Sequence, residues 1–244
     1  MAEPSIAVTG LRREFGSVTA LDGVDLDLSG PGIVGLAGPN ASGKTTLIRC
    51  LLGRLTPTAG SSAINGTASL ALDPEDRRNI GYMPQREAIY EDLSPRENVG
   101  FFARLYGLDD PAAAIDRALD VVELTHRQDD PVRQLSGGMI RRSSLACAIV
   151  HEPQVLFLDE PTVGLDPELR ASMWDTFRTW REAGSLILVS THYLGEATRC
   201  DTVLFLRDGR PLAVDTPEAF LESTGTADLE AAFLDLLDDG RDAG

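Results

Sequence analysis

The sequence predicts an α/β fold with a mostly parallel core sheet, an antiparallel β subdomain and a helical subdomain. Near the start of the chain, a strand of apolar residues, a glycine-rich loop and a helix follow one another. In the second half, apolar runs of strand length alternate with helix-length patterns, which is typical of parallel strands joined by crossover helices. Between these regions, from Gln85 to about Val150, the pattern is helical only.

The first elements alternate apolar and polar residues, as expected of strands in an antiparallel edge sheet. They are Ser5–Phe15 and Val18–Leu28. A buried strand, Gly32–Ala37, then leads into the glycine-rich loop. The elements expected next are a helix from Lys44 to about Leu55, a turn at Thr56–Gly60 and short strands at Ile64 and Ile80–Met83.

The helical region begins with Ser94–Glu97, which combines a capping box with a proline at the first helical position. Two more helices are expected there, at Pro111–Leu124 and Gly138–Val150. After the helical region, strand-length and helix-length patterns alternate again. Its expected elements are a strand at Val155–Leu158, a helix at Pro167–Trp180, a strand at Ser185–Val189, a helix at Leu194–Cys200, a strand at Thr202–Leu206 and a hairpin through Asp208 and Gly209.

The C-terminal region predicts one short amphipathic helix followed by a frayed acidic tail at Asp238–Gly244. The apolar residues that predict this helix recur at helical spacing and are Leu229, Ala232, Phe233, Leu236 and Leu237. We therefore expect one main domain over residues 1–225, with a helical subdomain at about 86–150, and a C-terminal helix and tail over residues 226–244.

Composition narrows the classes of function. The chain has 244 residues and a formal net charge of −16. Binding to nucleic acid or to anionic lipid uses clustered Lys and Arg, so this charge argues against both partners. The sequence has no apolar stretch of spanning length and no secretory signal at its start. Three cysteines without paired spacing, Cys50, Cys147 and Cys200, favour a cytosolic protein with free thiols.

The acidic excess has two readings that the residues leave open. Lys44 is the only lysine, and Asp outnumbers Glu. High internal salt would favour such a composition, because salt screens the repulsion within an acidic surface. A GC-rich genome would also favour Arg and Asp codons. We favour the high-salt, halophilic reading.

Gly38–Thr45 matches the phosphate-loop pattern G-x-x-x-x-G-K-[ST]. The strand before it and the helix after it provide the context that this motif needs. Backbone N–H groups of the loop and of the helix N-terminus then face one anionic site. Lys44 is expected to reach the β- and γ-phosphates, and the hydroxyl of Thr45 to hold Mg²⁺.

Val155–Pro161 is an apolar strand that ends in two carboxylates. In phosphate-loop enzymes, a carboxylate at such a strand end holds Mg²⁺, and Asp159 fits that position. Glu160 points elsewhere from the strand end and could polarise an attacking water.

Leu135–Met139 places a serine and two glycines directly before a helix, which indicates a second anion site. The simpler alternative is a capped turn with Ser136 as the N-cap. One γ-phosphate does not normally need two helix N-termini from one chain. A dimer that holds nucleotide between two copies would use both.

Taken in order, these motifs resemble the ATP-binding subunit of an ABC transporter over nearly the whole chain. The family pattern has an aromatic residue, the phosphate loop, a strand-end Gln, the LSGGQ motif, a hydrophobic-Asp-Glu strand, a D-loop and a switch His. The matching positions here are Phe15, Gly38–Thr45, Gln85, Leu135–Met139, Val155–Glu160, Gly164–Asp166 and His192.

The resemblance implies the P-loop NTPase fold of ABC ATPases, ATP and Mg²⁺ as cofactors, and hydrolysis in a nucleotide-sandwich dimer. Phe15 would stack on adenine, Glu160 would act as general base, and His192 would contact the γ-phosphate. Gln85 would sense Mg²⁺ and the attacking water, and Asp166 would reach across the dimer interface. The phosphate and Mg²⁺ contacts would come from Gly38, Pro39, Asn40, Ala41, Ser42, Gly43, Lys44, Thr45, Thr46 and Asp159. The contacts to the opposite subunit's ATP would come from Ser136, Gly137 and Gly138.

The chain departs from the family pattern at three places. Ala41 stands where the family nearly always has glycine, and a positive φ there would cost roughly 1–2 kcal/mol. Met139 replaces the usual Gln of the LSGGQ motif. Val163 and Gly164 replace the common Ser-Ala before the D-loop. The last two changes resemble the branch that pairs with drug- or polysaccharide-exporting permeases.

The resemblance also implies partners: a separately encoded membrane permease and a second ATP-binding subunit, with a homodimer expected, at the cytoplasmic face of the membrane. Aromatic residues of the helical region would either line a groove for a permease helix or form that region's own core. They are Tyr90, Phe101, Phe102 and Tyr106. The alternative is a soluble, non-transport ABC ATPase, which would need a long coiled-coil insertion or a second cassette. A GTPase would need a second lysine for guanine recognition.

Overall fold

The computed structural model describes residues 3–86 and 88–242 and confirms the predicted fold class. Its strands are β1 (Ser5–Phe15), β2 (Val18–Ser29), β3 (Gly32–Ala37), β4 (Ala59–Ile64), β5 (Thr67–Ala68), β6 (Ile80–Met83), β7 (Val155–Asp159), β8 (Leu186–Thr191), β9 (Thr202–Arg207) and β10 (Arg210–Asp215). Its α-helices are α1 (Lys44–Leu51), α2 (Pro74–Arg78), α3 (Pro95–Leu105), α4 (Pro111–Val121), α5 (Gly137–Ile149), α6 (Pro167–Glu182), α7 (Leu194–Ala197), α8 (Pro217–Thr224) and α9 (Leu229–Asp242).

The core sheet has the strand order β10-β9-β3-β8-β7-β6. β6, β7, β8, β3 and β9 are parallel, and β10 pairs with β9 in antiparallel fashion. Since parallel strands end at the same edge, the segments that follow β3, β6, β7 and β8 meet there. The register makes this explicit: Ala37 lies opposite Thr191, and Asp159 lies opposite Ser190.

The second sheet, with the order β2-β1-β4-β5, is antiparallel and carries register shifts along β1. The apolar face of α1 fills the space between the two sheets, where Leu47, Ile48 and Leu51 are buried together with Ile6 and Leu36. This packing fixes the start of α1, and therefore the phosphate loop, against both sheets.

A second cluster of buried residues joins the helical region, α6 and the other face of the core sheet. Trp174 and Phe177 of α6 pack edge to face with ring centroids 5.4 Å apart. The C-terminal helix α9 belongs to the same cluster, because Phe233 packs on Phe205 of β9 at 5.3 Å. Among the described residues, no helix has the length and the hydropathy that a bilayer span requires.

Several element boundaries differ from the predictions. α1 ends at Leu51 instead of about Leu55, because Gly53 adopts a left-handed φ of 65° and the Arg54 N–H donates back to Arg49. The prediction of a frayed tail from Asp238 is wrong as far as Asp242, since α9 continues to that residue. The last two residues, 243 and 244, lie outside the described part of the chain.

Two helices have no counterpart in the predictions. α2 begins with a capping box in which Asp73 accepts the N–H of Asp76, and α8 begins with Thr216, which accepts the N–H of Ala219. Both carry proline at the start, so cap signals were present in the sequence. Each helix is short, and its pattern is too brief to be read from periodicity.

Candidate functional site

The phosphate loop connects β3 to α1 and is shaped by its glycines. Gly43 is the N-cap of α1 with a φ of 108°, and a Cβ atom there would lie 2.6 Å from the carbonyl oxygen of Ala20. Only glycine fits this position, on grounds of both backbone conformation and space. Ala41 also adopts a left-handed φ, of 65°, so the position that the sequence analysis identified as unusual is strained here.

The Lys44 side chain is buried at the centre of this loop. Its Nζ donates hydrogen bonds to the carbonyl oxygens of Gly38, at 2.8 Å, and Pro39, at 2.9 Å, and lies 3.8 Å from Oε1 of Glu160. Burial lowers the pKa of Lys44, and the nearby carboxylates of Glu160 and Asp159 oppose that shift. The loop therefore presents one desolvated cation where an anionic group would bind.

Two buried polar atoms beside Lys44 have no hydrogen-bond partner among the described residues: Oγ of Ser42 and Oδ2 of Asp159. The other oxygen of Asp159, Oδ1, accepts hydrogen bonds from the hydroxyls of Thr45, at 3.1 Å, and Ser190, at 2.6 Å. Buried polar groups in proteins are nearly always paired, so these two atoms point to a ligand. A carboxylate oxygen next to a threonine hydroxyl fits Mg²⁺, which takes its remaining ligands from phosphate and water.

Glu160 is 5% exposed and lies at the meeting point of four segments. Its Oε2 accepts a hydrogen bond from Nε2 of Gln85 at 3.4 Å and lies 3.1 Å from Nδ1 of His192. Lys44 is on its other side. Gln85 follows β6, Glu160 follows β7, His192 follows β8 and Lys44 follows β3, so the sheet order brings together residues that are far apart in sequence.

Leu135–Met139 lies apart from this cluster. Ser136 caps α5 by accepting the N–H of Met139 at 3.3 Å, and both Ser136 and Gly137 are exposed. Gly138 is half-buried because α6 packs close to it: a Cβ there would lie 3.3 Å from Leu169. Among the described residues, no hydrogen bond or ion pair joins Ser136, Gly137 or Gly138 to the phosphate loop.

The remaining predicted residues lie at the rim. Phe15 ends β1 with 46% of its surface exposed, and the guanidinium of Arg13 lies 4.4 Å from the centre of its ring. Asp166 is exposed and caps α6, where its carboxylate accepts the N–H groups of Glu168 and Leu169. Within the loop, Pro39 and Asn40 are exposed and Thr46 is half-buried.

Sequence reasoning missed two residues that hold this cluster together. Ser190 binds the carboxylate of Asp159 and accepts the backbone N–H of Glu160 at 2.9 Å. Arg141 binds the backbone around Glu160 from the other side. The polar Ser190-Thr191 pair at the end of an apolar strand was a signal that could have identified Ser190. No local pattern indicated Arg141.

The chain is similar to known proteins over most of its length. The sequence matches the ABC transporter family model over residues 21–163. It is 37% identical to Nod factor export ATP-binding protein I of Ralstonia nicotianae, over 89% of this chain and 69% of that protein. It is 39% identical to daunorubicin resistance ATP-binding protein DrrA3 of Streptomyces coeruleorubidus, over 92% of this chain and 72% of that protein.

The fold has a close match among solved structures. One of them, described as the ATP binding subunit of an ABC transporter, superimposes with a TM-score of 0.84 at 28% sequence identity. The match covers 96% of this chain and 99% of that chain, so it includes both sheets and the helical region.

Proposed function

The chain belongs to the ABC transporter family as an ATP-binding subunit, and on that premise we propose that it hydrolyses ATP to drive export through a membrane permease made by another chain. The observation that carries this proposal is the convergence of Lys44, Gln85, Glu160 and His192 at one edge of the core sheet. Two of its relatives are named for Nod factor export and daunorubicin resistance, which supports export as the direction.

In this proposal, the phosphate loop from Gly38 to Thr46 binds the triphosphate, and Lys44 exchanges its carbonyl partners for phosphate oxygens. Thr45, Asp159 and Gln85 would hold Mg²⁺, and the chemistry that the ion would supply is neutralisation of charge on the phosphates. The buried and unpaired Oδ2 of Asp159 supports this assignment. Phe15, which is 46% exposed at the end of β1, stacks on adenine.

Glu160 is the proposed general base, and His192 contacts the γ-phosphate. A carboxylate that is buried between Lys44 and His192 is fixed in direction, so it can accept a proton from a water held in line with the γ-phosphate. Phosphoryl transfer needs positioning and charge stabilisation more than covalent chemistry, and this cluster supplies both.

The Ser136–Gly138 turn, in which Ser136 and Gly137 are exposed, supports a nucleotide sandwich. Because it lies apart from Lys44 within one chain, its helix N-terminus is free to close on the ATP of a second subunit. Asp166, exposed at the start of α6, would meet the same interface. We propose a homodimer with two composite sites.

The exposed aromatic edge of the helical region supports a permease partner. Tyr90 and Phe101 are exposed and pack edge to face at 5.4 Å, and Leu105 beside them is 66% exposed. Phe102 and Tyr106 are half-buried, and Tyr106 stacks on His151, so these two belong to the packing of the helical region itself. A cytoplasmic helix of the permease would cover the exposed part and hold the protein at the cytoplasmic face of the membrane.

The central test is Glu160→Gln, which keeps the shape of the side chain and removes the base. We expect ATP–Mg²⁺ to bind, hydrolysis to fall by about 10²–10⁴-fold, and an ATP-dependent dimer to accumulate. Phosphate release and light scattering measure the two effects. Glu222→Gln on the exposed face of α8 is the matched control and should behave like the parent chain. Parental hydrolysis by Glu160→Gln would overturn the assignment.

A further inference from the structure

Arg141 joins the helix that begins at the Ser136 turn to the backbone that carries the catalytic residues. It lies in the second turn of α5 and is 5% exposed. Its guanidinium donates to the carbonyl oxygens of Gln85 at 2.6 Å, Pro161 at 3.1 Å and Asp159 at 3.4 Å, and also to that of Glu160. One planar group thus binds backbone from two separate loops.

The backbone of Glu160 needs such support, because it adopts a left-handed φ of 53°. A non-glycine residue holds this conformation only where its surroundings fix it. Ser190 fixes it on one side, through hydrogen bonds from the N–H of Glu160 to the Ser190 hydroxyl at 2.9 Å and carbonyl at 3.2 Å. Arg141 fixes it on the other side, at the carbonyl. The direction of the Glu160 carboxylate depends on both.

We propose that Arg141 is a positioning residue that couples the two composite sites, an inference that rests on the sandwich dimer proposed above. In such a dimer, the Ser136 turn of a subunit meets the ATP of its partner, while Glu160 of the same subunit serves its own ATP. α5 connects the two. When the turn closes on the partner's nucleotide, Arg141 carries that movement to the loops of Glu160 and Gln85, so that binding at one site orients the base of the other.

The neighbouring residue, Arg142, provides a matched control. It lies on the same helix with the same charge and is mostly buried, but it points away from the site. Its guanidinium donates to the carbonyl oxygens of Val122 at 3.1 Å and Glu123 at 3.3 Å, beyond the end of α4. A substitution there disturbs the packing of α5 without touching the catalytic loops.

The experiment compares Arg141→Lys, Arg141→Met and Arg142→Lys in the full chain. Lysine keeps the charge but lacks the planar fork that reaches several carbonyls at once. For Arg141→Lys we expect kcat to fall at least about tenfold. The Hill coefficient for ATP should fall from about two toward one. The Kd of the monomer for ATP should stay within about twofold of the parent's value. Arg141→Met should fall further, and Arg142→Lys should keep the parent's Hill coefficient.

Three outcomes would overturn the proposal, two of them in the variants and one in the parent chain. Either Arg141→Lys matches the parent in kcat and Hill coefficient, or Arg142→Lys loses cooperativity to the same degree, which would make the effect one of helix packing. A parent chain that hydrolyses ATP with a Hill coefficient of one would also overturn the coupling while leaving the proposed function intact. If the parent failed to hydrolyse ATP, the proposed function would fail, and the Hill coefficient of ATP–Mg²⁺ binding would decide the coupling.

Discussion

Nδ1 of His192 lies 3.1 Å from Oε2 of Glu160, although the two residues follow different strands of the core sheet. This contact fixes the carboxylate on one side while Lys44 approaches its other oxygen at 3.8 Å. The histidine is half-buried, so part of its ring remains exposed.

His192→Ala should therefore slow hydrolysis more than it weakens binding. The Glu160 carboxylate loses a partner that orients it, and under the proposed function the γ-phosphate also loses a contact. We expect kcat to fall at least about tenfold and the Kd for ATP to change by less than about threefold. Steady-state phosphate release and equilibrium titration measure the two quantities. His126→Ala, at an exposed position, is the control. Equal kcat values for His192→Ala and the parent would remove His192 from the reaction.

Ala41→Gly should tighten ATP binding. The observed φ of 65° costs a non-glycine residue roughly 1–2 kcal/mol, and glycine removes that cost. The expected gain is at most about tenfold in Kd, measured by titration with ATP and Mg²⁺. Ala41→Val should weaken binding, because a β-branched residue tolerates this conformation less well. Ala112→Gly on α4 is the control for the same change outside the loop. A weaker affinity for Ala41→Gly would mean that the loop gains nothing from relief of strain.

The stability of the folded state should fall as the pH is lowered from about 6.5 to 4, in part because of His151. Its ring stacks on Tyr106 at 3.6 Å, its Nε2 donates to the carbonyl of Ile80, and its Nδ1 is buried without a partner among the described residues. Burial lowers the pKa of His151 to about 4 from a usual value of 6.5. Between these values the unfolded chain binds a proton that the folded chain refuses, so acidification favours unfolding.

A variant that cannot bind a proton at position 151 measures the size of this effect. His151→Phe keeps a ring against Tyr106 and loses the proton site. Urea unfolding gives the free energy of unfolding at pH 7 and near pH 4.5. As the pH is lowered between these values, the free energy of unfolding should fall further in the parent than in His151→Phe, by at most about 3 kcal/mol. His126→Phe, whose position is exposed, should keep the parent's pH dependence. If the free energy of unfolding changed equally with pH in the parent and in His151→Phe, the pKa of His151 in the folded chain would not be lowered.

The melting temperature should rise as KCl increases from about 0.1 to 2 M. With a net charge of −16, repulsion within the acidic surface opposes folding, and added ions screen it. Exposed ion pairs such as Arg133–Asp92 weaken under the same conditions, but each contributes at most about 1 kcal/mol. A neutral osmolyte at matched osmolality controls for exclusion effects. A flat or falling curve would leave codon usage as the reason for the composition.

The sequence by itself determined the features that depend on neighbouring residues. The strand, glycine-rich loop and helix around Lys44 could be predicted because local chain geometry determines them. Asp159 and Glu160 could be identified because they end an apolar run of strand length. Caps such as that of Ser94 were also predictable, because a cap is a contact between residues three apart. The resemblance to the ABC family identified Ala41 as a position that would be strained if its φ were positive, and its φ is 65°.

The tertiary structure decided what depends on residues far apart in the chain. Ser190 reaches Asp159 because β7 and β8 pair in one particular register, and no local pattern encodes that pairing. Arg141 binds the carbonyl of Glu160 only because α5 packs across the end of the sheet. Backbone carbonyls leave no mark in a sequence, since every residue carries one. The residues that hold Asp159 and Glu160 in place could therefore be found only once the strands and helices were assembled.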